Sequence, residues 1–422
     1  MRAPTASNPF APAPTPIAAS PVGSHVGAAV PPVGSHVGAQ SANQSSPTGP
    51  MLGPGSELRR LYNMPNHMGH GGAVQCMTMV DDRVYTGGRD CNLWMWRGQQ
   101  PPGSRNFELV EDSPQPVTLS SSVTSMLYEP SSKWLFCGLW QGQIQAFCKD
   151  PVRDDRLEGH RRCVSCLTVH SPVVVSGSTD STVRLWTMNP EAGRFQCAGQ
   201  PLNNPTGAVS AVKVFNGGLW VGAEQGITCF DLNTLQPKGT IPSTAGVAEM
   251  IEFEGYILVA FKNGEVRIFD GGGSQTYLHP PQGEHTTNTA VALMTHPFAN
   301  KPMLLCGQQY GYVTVYDLPE FRPRGTFVSR ERSDIRAIVD AKADGMFLTA
   351  GNQGDIMVWQ WQRQGGGGPG LSHASPFAAG APPPTGPIAA SPFAGAGGCG
   401  GGFAGGAAGG CPGGAGSDLM MG

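Results

Sequence analysis

His160, Ser176 and Asp180 are the residue types of a nucleophilic triad: a base, a hydroxyl and a carboxylate. The set is not unique. His70, Thr86 and Asp90 repeat it, with the hydroxyl 16 positions after the histidine and the aspartate four positions further. In both sets a tryptophan, Trp96 or Trp186, follows the hydroxyl by ten. An active site is usually built once, so a quartet that recurs with fixed spacing points to architecture. Buried groups of this kind are tolerated only when all are paired. Cys163 and Cys166 have the spacing of a zinc pair. They lie in Cys-Val-Ser-Cys-Leu-Thr-Val, which reads as a strand, where residues three apart point to opposite faces. Cys399 and Cys411 sit in a Gly-rich stretch with no histidine between or after them, too few ligands for a closed site. No metal and no cofactor is expected, and 11 cysteines in 422 residues fit a reducing compartment.

The elements that hold these quartets repeat as well. Thr86-Gly87-Gly88-Arg89-Asp90 and Ser176-Gly177-Ser178-Thr179-Asp180 share one frame. Weaker copies run from Cys137 to Phe147, Val221 to Phe230, Val259 to Phe269, Cys306 to Tyr316 and Thr349 to Trp359. Each follows an alternating run such as Val209-Ser210-Ala211-Val212, and turn residues separate the units. Seven units of about 40 residues, each with three clear strands and a variable fourth, predict an all-β fold, a seven-bladed β-propeller. Trp96, Trp186, Phe230, Phe269, Tyr316 and Trp359 are expected to fill the spaces between blades. Gly365–Gly368 cannot supply a last strand, so residues 57–64 are expected to complete the seventh blade and close the ring.

Charge sets the boundaries. Arg2 and Asp418 are the only charged residues outside 57–363, which holds 26 basic and 29 acidic residues. The flanks are rich in Pro, Gly, Ala and Ser and lack the apolar residues to offset ordering entropy. The expected organisation is a disordered tail over 1–56, the propeller over 57–363 and a disordered tail over 364–422. Pro21-Val22-Gly23-Ser24-His25-Val26-Gly27-Ala28 recurs as Pro32 to Ala39. Asn8-Pro9-Phe10, Ser375-Pro376-Phe377 and Ser391-Pro392-Phe393 are short-motif candidates. No apolar run of 18 residues exists, so no membrane span is expected, nor a secretory signal. An intracellular location, cytoplasmic or nuclear, follows. The near-neutral core argues against strong non-specific nucleic-acid binding.

Gly159-His160, Ser176-Gly177-Ser178, Asp180 and Val183-Arg184-Leu185-Trp186 resemble a WD40 repeat, and Phe230-Asp231, Phe269-Asp270 and Tyr316-Asp317 occupy its Trp-Asp position. That resemblance implies a seven-bladed WD40 β-propeller over about 70–362. It also implies that His70, Thr86, Asp90 and Trp96, like His160, Ser176, Asp180 and Trp186, form structural tetrads, hydrogen-bonded chains tying the loop before each inner strand to the following turn. A narrower likeness, in Lys301–Cys306, Tyr316–Phe321, Val328-Ser329-Arg330, Ile335–Ile338 and Val358–Trp361, is to the plant and algal CCCH zinc-finger WD-repeat proteins. Those are thought of as RNA-associated or regulatory. No cysteine precedes Cys76 here, so finger-based metal and RNA contacts are not carried over.

Function is expected on loops held by the ring. Arg89, Trp140, Thr179, Lys262, Gln309 and Asn352 precede the Asp position of their units, and Arg161 and Arg162 follow His160. All eight are expected on one partner-binding face. The expected role is a non-enzymatic scaffold for protein or peptide partners, acidic ones by charge, in a monomeric propeller. The alternative is an RNA-associated regulator, supported by Arg322, Arg324, Arg330, Arg332 and Arg336. A ubiquitin-ligase receptor is disfavoured, because Asn233, Gly272 and Pro319 stand where such receptors carry arginine. An enzyme is the last choice.

Overall fold

A computed structural model describes residues 51–363, apart from 53–56, 65–67, 100–106, 113–114, 150–151, 282–286, 331 and 343–344. The tails expected over 1–56 and 364–422, and the short motifs within them, fall almost wholly outside the described residues. Seven antiparallel sheets follow one another along the chain. Their inner strands are Val74–Val80, Val123–Glu129, Val164–His170, Val209–Phe215, Val247–Phe253, Asn288–Thr295 and Ile335–Asp340. Each inner strand packs beside the next, and the seventh beside the first, so the seven sheets are the blades of a closed propeller. The one helical segment among the described residues is a single 3-10 turn, Gln309–Gly311.

Closure comes from the start of the described chain. Leu58–Asn63 pairs with Ile356–Trp361 and is the outer strand of blade 7. Glu57 adds an ion pair, its carboxylate 2.7 Å from Arg324 of blade 6, and its carbonyl accepts from Gln362 N–H at 2.6 Å.

Two sequence features make one blade fit the next. The inner strand of every blade carries a β-bulge at its second residue, as between Val164 and Cys166. The facing residue in the second strand is small, because the first inner-strand residue of the next blade sits against it. A Cβ on Gly177 would lie 2.5 Å from a methyl of Val209. The bulge residue is often Ser or Thr, and its hydroxyl donates across the seam: Thr124 to Val164 O at 2.7 Å, Ser165 to Val209 O at 2.5 Å and Ser210 to Val247 O at 2.6 Å.

Between these polar staples and the rim lie seven apolar clusters, one at each seam. Trp96, Trp186, Phe230, Phe269, Tyr316 and Trp359 all lie in these clusters, each at most 6% exposed. Burial of side chains this size contributes roughly 25 cal/mol for each Å2 of apolar surface removed from water, so the seams hold the ring together.

Candidate functional site

The two quartets form continuous chains of hydrogen bonds. In blade 1, Trp96 Nε1–H donates to Thr86 Oγ1 at 2.8 Å, and Thr86 Oγ1 lies 2.8 Å from His70 Nε2. His70 Nδ1 lies 2.8 Å from Asp90 Oδ1, which also holds the blade's turn through Asn92 N–H. Thr86 Oγ1 thus bridges the indole N–H and the imidazole. Blade 3 repeats this through Trp186, Ser176, His160 and Asp180 at 2.8, 2.8 and 3.2 Å. Asp180 further accepts from Arg161 N–H at 2.8 Å and Thr182 N–H at 2.9 Å. Burial pushes the His160 imidazole below its ordinary range, against the pull of Asp180. Burial alone would raise Asp180, but its donors Thr182, Arg161 and His160 hold it below the usual carboxylate range.

These hydroxyls are sealed from solvent. Thr86 and Ser176 are 0% exposed, and each is fully engaged between an indole and an imidazole. The cysteine pair is divided as well. Cys166 faces the central channel, and Cys163 packs by Thr124. Burial raises both thiols, Cys166 to about 12, so neither is a ready thiolate. Among the described residues no three His, Cys, Asp or Glu are grouped to hold a metal ion.

The loop before each inner strand and the turn after the second strand share one face of the ring. Backbone bonds join them within a blade: Arg89 N–H to Ala73 O, Trp140 N–H to Ser122 O and Thr179 N–H to Cys163 O, at 2.8, 3.0 and 3.0 Å. Lys262 and Asn352 make the same bond in blades 5 and 7. Neighbouring blades are joined too. Ser122 Oγ donates to Arg89 O at 3.0 Å, and Gly142 of the Trp140 turn presses on the carbonyls of His160 and Arg162. Gly142 has φ of +92°, and a Cβ there would lie 2.4 Å from His160 O, so that contact requires glycine.

The eight expected face residues are spread over six of the seven blades. Arg89, Trp140, Arg161, Arg162 and Thr179 lie on one arc across blades 1 to 3. Trp140 is 63% exposed, and the three arginines are exposed around it. Lys262, Gln309 and Asn352 lie on blades 5 to 7, and the ring brings blade 7 back beside blade 1, where Gly354 of the Asn352 turn abuts the carbonyls of His70 and Gly72. Asn352 is already engaged, donating to Asp334 at 3.0 Å and accepting from Arg336 at 2.7 Å. The repeat frame also carries two face residues outside the expected set. Glu224, exposed, holds the Trp140 position in blade 4, and Tyr310, 53% exposed, holds the Asp position in blade 6.

The arginine cluster on which the RNA alternative leans does not form one patch. Arg324 is spent on Asp317 at 2.6 Å and Glu57 at 2.7 Å. Arg322 stands at the far end of a seven-residue strand from Arg330, about 20 Å away at ~3.3 Å per residue.

The channel through the ring has a volume of about 380 Å3 and is lined by all seven inner strands. Glu249 is its one lining acid among the described residues. It is wetted by the channel yet surrounded by protein, and this confinement pushes its carboxyl up to about 7, against the Met250 N–H and the Lys213 charge.

Residues 151–187 match the family model "WD domain, G-beta repeat". The chain is 26% identical over 303 residues to zinc finger CCCH domain-containing protein 17 of Oryza sativa subsp. japonica, covering 66% of this chain and 61% of the rice protein. It is 24% identical over 250 residues to zinc finger CCCH domain-containing protein 62 of Arabidopsis thaliana, covering 58% of each. The chain thus spans about three-fifths of the length of these plant relatives. Among solved structures, the WD40 β-propeller domain of Doa1 aligns with a TM-score of 0.57 at 15% identity, covering 72% of this chain and 96% of that domain. With one repeat matched by the family model and the whole ring sharing the architecture of a solved WD40 domain, the chain has the fold of a seven-bladed WD40 β-propeller.

Proposed function

We propose that this protein is a non-enzymatic scaffold, monomeric in its propeller, that holds a protein partner on the arc of blades 1 to 3. A WD40 propeller is generally such a scaffold. The observation that carries the reading is Trp140: a large aromatic left 63% exposed on a turn held by backbone bonds, with Arg161 and Arg162 exposed on the loop it abuts. Tryptophan and arginine are the residues that most often dominate interface energetics, and a fixed turn loses little entropy when it is covered. The three arginines suit an acidic segment. On this reading the tetrads serve the ring and take no part in chemistry, because each repeats at the same place in its blade with its hydroxyl sealed.

The test is a capture experiment with the full chain, wild type against a Trp140→Ala, Arg162→Glu double variant, with and without ribonuclease. Partners bound through the arc should fall by about 30-fold or more, the loss expected of ~2 kcal/mol at an interface anchor. Equal partner lists for the two proteins refute the arc. A second reading, association with RNA, draws on the named likeness to zinc-finger proteins; it predicts partners lost with ribonuclease and binding that weakens steeply with salt.

A further inference from the structure

Six of the seven seams are filled by a buried ring: Trp96 between blades 7 and 1, Trp186 between 2 and 3, Phe230 between 3 and 4, Phe269 between 4 and 5, Tyr316 between 5 and 6, and Trp359 between 6 and 7. The seam between blades 1 and 2 is the exception. Its buried residues are Val80, Leu93, Val123, Leu135, Cys137 and Leu139, with no ring among them. Phe147 stands at the filler position of blade 2, ten residues after Cys137, but it is only half-buried.

The space left at this seam is a groove of about 730 Å3, within the size range of ligand sites. Tyr85 and Met95 of blade 1 line one side of it, and Tyr128, Leu135 and Phe147 of blade 2 line the other. Val117, paired beside Leu93 and 38% exposed, borders it. The groove also reaches Asp81 and Pro130, in the turns between inner and second strands. Those turns lie at the opposite end of the strands from the Trp140 turn, so the groove is distinct from the arc.

Two carboxylates, Asp81 and Asp154, line the groove against one cation, Lys133. Asp81 is exposed and in no ion pair among the described residues. Burial raises the Tyr128 hydroxyl above its ordinary range, and the Asp81 charge adds to this, so the carboxylate of one blade and the ring of the next share the groove. A cation entering there meets a carboxylate and aromatic rings, both of which favour positive charge.

We propose that this groove is a second binding site, for a short segment of a partner protein in which a bulky apolar side chain stands next to a lysine or arginine. The apolar side chain fills the space beside Phe147, where the other six seams hold a buried ring, and the basic one pairs with Asp81. The site does not depend on the Trp140 arc, whose arginines suit an acidic segment.

A library of random short peptides displayed on phage and selected on the full chain tests this. The selected peptides should pair an aromatic or large aliphatic residue with a neighbouring Lys or Arg. Synthesised, they should bind a Val117→Arg chain about 30-fold more weakly, because the new side chain enters the groove and repels the basic residue. Asp81→Asn should weaken them about fivefold; it removes the charge and keeps a residue type that accepts the φ of +55° at this turn. Both positions are exposed, so the variants should unfold at the wild-type midpoint, which separates loss of the site from loss of the ring. Selection of no peptide, or of peptides that bind both variants as tightly as wild type, overturns the proposal. So do peptides that lose binding to a Trp140→Ala chain alone, since they sit on the arc. A wild-type chain that scatters light as a dimer beside a monomeric Val117→Arg chain also overturns it, because a second copy then covers the groove.

Discussion

Blades 3 and 5 solve the same packing problem with opposite chemistry. In blade 3 the seam side chain Trp186 is tied through Ser176 and His160 to Asp180, a buried polar chain running from seam to turn. In blade 5 the equivalent positions are Phe269, Val259 and Asn263, and the seam is closed by Phe269, Phe261 and Val259 with Trp220 of blade 4. The backbone is the same in both: an antiparallel sheet with a bulged inner strand and a small residue opposite the next blade. The polar quartet is therefore not what makes a blade. What both blades require is an aromatic seam filler and a turn held to the loop before the inner strand. Blade 3 holds its turn with a carboxylate as well as backbone, whereas blade 5 holds it through Lys262 N–H to Gly246 O and an Asn263–Glu265 contact at the surface.

The largest effect should be the same in both blades. Trp186→Ala and Phe269→Ala each remove a fully buried aromatic and should each cost about 3–5 kcal/mol in denaturant unfolding. If one blade tolerates its truncation with a loss below ~1 kcal/mol, the shared-filler argument fails for that blade.

Exchanging the chemistries is the sharper and smaller perturbation. Ser176→Val gives blade 3 the residue type of Val259, and it strands the Trp186 indole N–H and His160 Nε2 without partners. Val259→Ser gives blade 5 a hydroxyl with no partner in an apolar seam. Each should cost about 1–3 kcal/mol, because an unpaired buried polar group carries its full desolvation penalty. A Ser176→Val protein as stable as wild type would show that the tetrad is dispensable where it occurs.

The frame that relates these blades was legible in the sequence, and so was the exchange of strands that closes the ring. Gly177, Asp180 and Trp186 are each fixed by a local requirement: close approach, turn capping and seam filling. The Leu58–Asn63 strand could be placed because the last unit lacked a fourth strand of its own. The staples of Thr124, Ser165 and Ser210 were not legible, since each accepting carbonyl lies 37 to 44 positions away and leaves no side-chain signal. Blade 7 shows the same limit. Its Trp359 indole donates to Thr349 at 3.0 Å, and Thr349 lies 2.6 Å from Ser329, so a hydroxyl from the entering loop serves where blades 1 and 3 use histidine. The face spread for a related reason: one frame position recurs in every blade, and the ring distributes it over the whole circumference, so only neighbouring blades bring Trp140 to Arg161 and Arg162. Arginines close in sequence were separated because a strand extends them along its length.

The smallest effect separates the two blades by the sign of their response to pH. His160 and Asp180 both titrate below their ordinary values in the folded chain. Their contribution is in place above the unfolded values, about 6.5 for histidine and about 3.9 for aspartate, and is lost as pH falls through the folded ones. In blade 5, Glu249 is raised to about 7. Its contribution is complete below the unfolded value of about 4.3 and is lost as pH rises through 7, where the confined carboxyl must ionise. Blade 3 should thus weaken in mild acid, while Glu249 makes blade 5 weaker toward neutral and above. Water in the channel screens this carboxyl, so its effect is the more modest. Glu249→Gln should flatten the decline in unfolding midpoint between pH 5 and 8 and leave the acid limb from His160 and Asp180 intact. Midpoints of wild type and variant that run parallel across that range would show that Glu249 titrates as an ordinary surface carboxylate.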